Sequence, residues 1–193
     1  MKGKVRKLTL AIMVIGILAF SPMLWQAWAN PDVIDVGSEV INRPQSMPEG
    51  YTMIILDNPA NLTGTLDTVQ VWAASIGDVT GFRIGTFYLV SGTTYKCRDS
   101  VAIGTVTSGS AQTFSSLSIN VEAGDYLGAY WAVGTIERNG AGFGGELFYY
   151  GESIDPDDQA TFTLQTGDTL SIYATGETAA PIGGGQVIMI QEF

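Results

Sequence analysis

Carboxylates are the only abundant reactive side chains in this sequence. Nineteen Asp and Glu stand against nine Lys and Arg, with no histidine and one cysteine in 193 residues. Without histidine there is no Ser-His-Asp or Cys-His catalysis and no histidine-ligated metal. Two carboxylates flanking a sugar bond suffice for glycoside hydrolysis. Glu146 and Glu152 lie among Phe148, Tyr149 and Tyr150, with Glu137 in an adjacent loop. Nothing in their spacing marks a pair at the required separation, so a carboxylate glycosidase is a minor alternative and the expectation is a protein that is not an enzyme. A short acidic loop can instead ligate calcium through hard oxygens. Asp155, Asp157 and Asp158 form such a loop around Pro156, which stiffens the turn. The spacing is not that of an EF-hand, and a solvated acidic turn is the simpler reading. No cofactor is expected, with Ca²⁺ at this loop as the one alternative. Phosphoryl transfer has no basis: there is no Gly-x-x-x-x-Gly-Lys, and Lys96 is the only lysine past Lys7. The glycines of 140–145 sit between strands, with no following helix to offer its N-terminus to an anion.

These groups belong to a chain whose charge is unevenly spread. Lys2, Lys4, Arg6 and Lys7 precede every acidic residue, the first of which is Asp32. The acidic remainder repels a phosphate backbone, which excludes nucleic acid as a partner. The basic stretch is followed by an apolar run from Leu8 to Phe20, by Ser21-Pro22, and by the small-x-small sequence Ala27-Trp28-Ala29. This is the pattern of a secretory signal over residues 1–29, read as an N-terminal hydrophobic helix, with cleavage leaving Asn30 as the new N-terminus. The competing reading is an uncleaved anchor over residues 8–25, which is the only membrane contact expected. Either way the body is exported, and the protein is secreted or held at the cell surface. In an oxidising compartment the lone Cys97 has no intrachain partner, so it is expected to be a small buried apolar residue.

Past residue 30 no amphipathic helical pattern appears. Alternating or clustered apolar stretches are separated by Gly, Ser, Thr, Asn and Asp. Strands are expected at Tyr51–Leu56, Thr65–Ala74, Phe82–Val90, Val101–Val106, Thr113–Val121, Tyr126–Val133, Leu147–Tyr150, Ala160–Leu164 and Thr169–Ala174. Shorter pieces near Val33–Val36 and Thr94–Arg98 add to them. Phe82–Val90 is apolar on both faces and so reads as central. The expected fold is all-β, an antiparallel two-sheet β-sandwich over residues 30–178.

One internal similarity refines this. Val121–Tyr130 and Leu164–Tyr173 share apolar-polar-x-Gly-Asp-x-Leu-x-x-Tyr at an offset of 43 residues. Each copy ends a strand, turns at a glycine that tolerates positive φ, and opens the next strand. Two copies are too few for a solenoid and read as equivalent corners of one sandwich. These Gly124-Asp125 and Gly167-Asp168 corners resemble those of secreted jelly-roll modules, among them carbohydrate-binding modules, complement-C1q/tumour-necrosis-factor-like domains, and receptor-binding or decorative domains of phage particles. The resemblance spans roughly Thr113 to Thr175. It implies a jelly-roll-like sandwich with a binding or structural role outside the cell, and it carries over no functional residue.

Period-two alternation assigns faces. Leu127, Ala129, Trp131 and Val133 point inward, as do Leu170, Ile172, Ala174, Val69, Val71 and Ala73. Trp72, Tyr130 and Tyr173 then point outward. Together they would make an aromatic platform for a glycan or another surface ligand; the alternative is that loops or a neighbouring subunit cover them. Residues 179–193 combine a glycine-rich hinge with a last strand. In it, Val187, Ile188, Met189 and Ile190 either fold back or pair with another copy, the route to self-association. Asn61-Leu62-Thr63 fits an N-glycosylation sequon, a triplet common by chance. An outer-membrane barrel is a further alternative, although several expected strands are shorter than the roughly 9–11 residues a tilted span needs. The sequence thus points to a non-enzymatic extracellular protein, structural or adhesive, working through assembly or surface binding, with a carbohydrate-binding module as the alternative.

Overall fold

The structure, a computed structural model, describes residues 32–179. The leader and the tail strand bearing Val187, Ile188, Met189 and Ile190 lie outside the described residues. Among those described there are fifteen strands and no helix. They are β1 (Val33–Gly37), β2 (Gln45–Pro48), β3 (Tyr51–Ile55), β4 (Gly64–Trp72), β5 (Val79–Ser91), β6 (Thr94–Val106), β7 (Ala111–Phe114) and β8 (Ile119–Val121). There follow β9 (Tyr126–Tyr130), β10 (Thr135–Asn139), β11 (Glu146–Tyr150), β12 (Gln159–Thr161), β13 (Thr163–Gln165), β14 (Thr169–Leu170) and β15 (Ile172–Glu177).

Every strand pair is antiparallel. One sheet has the order β1-β15-β4-β7, with β8 also on β4. A second has seven strands in the order β12-β6-β5-β9-β3-β11-β13, and a small third runs β14-β10-β2. The chain passes between the two large sheets at β3 to β4, β4 to β5, β6 to β7 and β8 to β9.

Between the two large sheets lies an aliphatic interior. Ile34, Val36, Leu66, Val69, Val71 and Ala174 from the first sheet meet Met53, Ile55, Phe82, Ile84, Leu127 and Trp131 from the second. Trp131 is fully buried, and its indole N–H donates to the Gly134 carbonyl at 3.2 Å. The inward sets expected at Val69–Ala73 and Leu170–Ala174 are all buried. Val133 is the exception, 54% exposed, because β9 ends at Tyr130 and the alternation has no sheet to follow beyond it.

The seven-stranded sheet is apolar on its other face too, as the two-sided pattern expected of Phe82–Val90 requires, although the cover stops short of Leu89 and Val90, which are exposed. Ile54, Phe87, Tyr95, Cys97, Leu147, Ile154 and Phe162 form a second buried cluster there. One bulge makes this possible. Thr86 pairs with Asp99 and Phe87 with Cys97, so Arg98 is an inserted residue. The insertion reverses the alternation along β6, sending Tyr95 and Cys97 to one face and Val101 and Ile103 to the other. The expected strand Ala160–Leu164 is in fact two short ones. β12 pairs with β6 at one edge and β13 with β11 at the other, with only Phe162 between them. Three consecutive residues span at most about 7–8 Å, so the sheet must curl until its edges nearly meet. Phe162 plugs the resulting pouch, edge-on to Phe87 and Tyr95 at centroid distances of 6.2 Å.

Candidate functional site

The carboxylates of the acidic loop are each engaged by a separate partner. Arg83 holds both Glu152 and Asp155 at 2.5 Å, and Lys96 holds Asp157 at 2.8 Å. Asp158 accepts the Asp155 backbone N–H at 3.0 Å. Each carboxylate is turned to its own partner, and no three acidic or cysteine side chains converge on a cation position among the described residues. Asp155, Asp157 and Asp158, read above as a solvated acidic turn with Ca²⁺ as the alternative, lie on a segment that straps over the pouch. Backbone bonds between Cys97 and Asp157–Asp158 fasten it to β6. Beneath it the Cys97 thiol lies 3.3 Å from the Ile154 carbonyl, and burial pushes its pKa up to about 12. It is packed as a small apolar residue.

The three outward aromatics also separate. Trp72 on β4 and Tyr173 on β15 share the outer face of the first sheet, whereas Tyr130 on β9 belongs to the opposite sheet and borders the pouch cluster. The repeat explains this. Both corner glycines take positive φ, 92° at Gly124 and 87° at Gly167, and both corner aspartates are buried and bound by an arginine. Asp125 takes Arg98 on two oxygens, at 2.5 and 3.1 Å, and also accepts the Glu122 N–H; Asp168 pairs with Arg138. The first corner opens β9 in the seven-stranded sheet, whereas the second opens β14 in the small sheet and leads on to β15 in the first sheet, so their tyrosines diverge. A platform of all three rings is excluded, and a pair remains.

That pair is well placed. Tyr173 stands opposite Gly37, and its hydroxyl donates to Asp35 Oδ2 at 3.4 Å across β1. The Asn58 amide donates to the same Asp35 oxygen at 3.1 Å and holds it in place. Gln70 pairs with Tyr173, so Trp72, two residues on, is its diagonal neighbour, typically about 7–8 Å away. Both rings are half-buried, and Gln70 and Thr113 beside them are exposed. At one end the face meets a wall formed by the 39–43 loop, where Ser171 donates to the Ile41 carbonyl and receives the Arg43 guanidinium. The sequon residue Asn61 serves the fold: its side-chain oxygen accepts the Asp35 N–H and its side-chain NH₂ donates to the Val33 carbonyl, capping the free edge of β1.

The strongest electrostatic anomaly lies under that wall, where Arg43, Glu137, Arg138, Glu146 and Asp168 are all buried or nearly so. Glu137 accepts the Arg43 backbone N–H at 2.9 Å, and Glu146 lies 3.4 Å from Arg138. Asp57 is held by the Gly144 N–H at 2.7 Å. Glu146 has no solvent exposure, and its Oε1 has no partner. Burial raises its pKa to about 7, against the pull of Arg138 and Arg43. Burial likewise lowers the pKa of Arg43, opposed by Glu39, Asp57, Glu146 and Glu137. Sequence reading picked out Glu137 and Glu146 but not Arg43, Arg138 or Asp168 as their companions. It also missed β2 and β10, because Gln45–Pro48 contains a proline and Thr135–Asn139 has Ile136 as its one apolar residue. The arginines were legible only as rarities, five in the whole chain. Comparison with protein-family models, with curated proteins and with solved structures finds no match for this chain.

Proposed function

We propose that this chain is an exported, non-catalytic β-sandwich protein with a structural or adhesive role, exercised through contacts at its outer surface. One observation carries the reading. Each carboxylate weighed as a catalytic acid is occupied with holding the fold: Glu137 by the Arg43 backbone, Glu146 by Arg138, and Glu152 by Arg83. A general acid or nucleophile must reach substrate, and the one carboxylate here with a pKa raised towards neutrality, Glu146, is sealed from solvent. With these carboxylates engaged in the fold, the outer surface is where we place function. The apolar leader with its small-x-small end supports export.

The test is recovery of the protein from its native source, with determination of its N-terminal residue, its mass in the native state and its location. The expected result is Asn30 at the N-terminus, or an intact leader, on protein associated with the outer surface or with a larger assembly. A free cytoplasmic monomer with its leader intact overturns the reading, as does substrate turnover that Glu146→Gln abolishes.

A further inference from the structure

The hairpin of β5 and β6 outruns the sheet that holds it. β9 accompanies β5 only over Arg83 to Phe87, so among the described residues no strand lies beside residues 88–91 on that edge. Leu89 shares the face of its pair partner Tyr95, and Val90 faces the other way. The two are 51% and 47% exposed. An open edge with apolar side chains on both faces is a template for a further strand, and natural sheets cover such edges. Here β1 is capped by Asn61, and β8 by Asp99, which accepts the Asn120 backbone N–H at 2.8 Å. β7 presents only the small or polar Ala111 and Thr113 to solvent. The edge at 88–91 has no such protection among the described residues.

We propose that residues 186–193 of the same chain cover this edge as an added strand, with 187–190 against Leu89 and Val90. Pattern and reach both select that occupant. Val187, Ile188, Met189 and Ile190 are apolar at every position, as suits a strand covered on both faces, and the exposed pair calls for cover on both. The start of the segment is also close by. Thr178 lies against Gly64, and Gly64 pairs with Val121. The next corner closes with the Asp125 N–H on the Glu122 carbonyl, and Tyr126 pairs with Phe87. Four steps of about 5 Å each therefore lead from Thr178 to the open edge. The seven residues 179–185 span up to about 23–25 Å when extended. The other exposed apolar pair, Ile76 and Val133, lies past the far end of β4, nine residues and about 30 Å from Gly64. So short a connection keeps the segment at an effective concentration near the millimolar range, which another copy would have to exceed. The proposal goes beyond the surface-contact reading and does not depend on it. It makes the segment the guard of an edge that would otherwise accept a strand from a neighbour.

The experiment is hydrogen–deuterium exchange of the full chain, read by mass spectrometry on peptides covering 88–91 and 187–190. Residues 187–190 are expected to exchange at least about tenfold more slowly than the same sequence as a free peptide. Met189→Pro, which a paired strand does not tolerate, is expected to speed exchange about tenfold in both segments while leaving β4 unchanged, and Met189→Leu to change neither. Leu89→Ser, on the opposite side of the contact, is expected to speed exchange at 187–190. Dilution by about tenfold is expected to alter nothing, because the contact lies within one chain. Exchange at 187–190 as fast as in the free peptide overturns the proposal. So does a Met189→Pro variant that releases 187–190 but leaves 88–91 as it was. Protection that fades on dilution overturns it as well, since the segment then sits on another copy.

Discussion

Two groups of carboxylates lie a few residues apart in sequence and behave as opposites. Around Glu146, acids and two arginines are withdrawn from water beneath the 39–43 loop. Around Asp155 the acids lie on an exposed strap, with Arg83 and Lys96 reaching out to them. In the first group every charge lost leaves another buried without compensation. In the second, water replaces any partner removed. Density of acidic residues along the chain says nothing about which case holds; depth does.

The largest expected effect follows from breaking the buried group. Arg138 neutralises both Glu146 and Asp168, so Arg138→Ala should cost about 3–5 kcal/mol, read as a fall in the urea midpoint with unchanged slope. A loss under about 1 kcal/mol would mean that water already reaches the cluster. Next comes pH. The Glu146 carboxyl has a folded pKa of about 7 against an ordinary 4.5, so between those values the native state holds the proton more tightly than the unfolded chain. Its contribution to stability is therefore complete below about pH 4.5 and is lost as the pH rises through 7, a change on the order of 3 kcal/mol. Glu146→Gln should flatten the stability profile between about pH 5 and pH 8, and an unaltered slope in that variant would assign the effect to another group.

The corner at Asp125 should fall between the extremes. Its carboxylate is buried and takes Arg98 on both oxygens, so Asp125→Asn should cost about 1–3 kcal/mol. Arg98→Lys, which keeps the charge but loses the fork, should recover little of what Arg98→Ala loses. The smallest effect belongs to the strap. Asp157→Asn should leave the denaturation midpoint where it was, and millimolar calcium followed by a chelator should not move the melting temperature, because the three carboxylates point to separate partners. A calcium-dependent rise would erase the contrast between the two groups.

Much of the sandwich was legible along the chain. Alternation at Val69–Ala73 and Leu170–Ala174 has a simple cause, one wet face and one dry face. The two-sided apolarity of Phe82–Val90 foretold a strand covered on both faces; this holds over Phe82–Phe87, where the cluster around Phe87 and Cys97 supplies the second cover, but Leu89 and Val90 are exposed. The Gly-Asp repeat marked two equivalent corners correctly. It could not say that the strands bearing their tyrosines, β9 and β15, lie in opposite sheets, and so the grouping of Tyr130 with Tyr173 failed. The buried charge cluster was illegible for a related reason: β2 and β10, with QSMP and TIERN, lack the apolar period that betrays a strand.

What the sequence alone determined is local: where the backbone extends, where it turns, and which side of each strand avoids water, because side-chain period and glycine freedom act over a few residues. It also limited the chemistry, since a chain without histidine and with one cysteine leaves most reactive work to carboxylates. Which carboxylates meet an arginine in the dark, which meet one in water, and which two of three aromatic rings share a face were decided only when the strands were wound into sheets. Those outcomes depend on pairings between residues as far apart as Asp35 and Tyr173 or Arg43 and Ser171, and no periodicity along the chain encodes which distant strand will lie alongside.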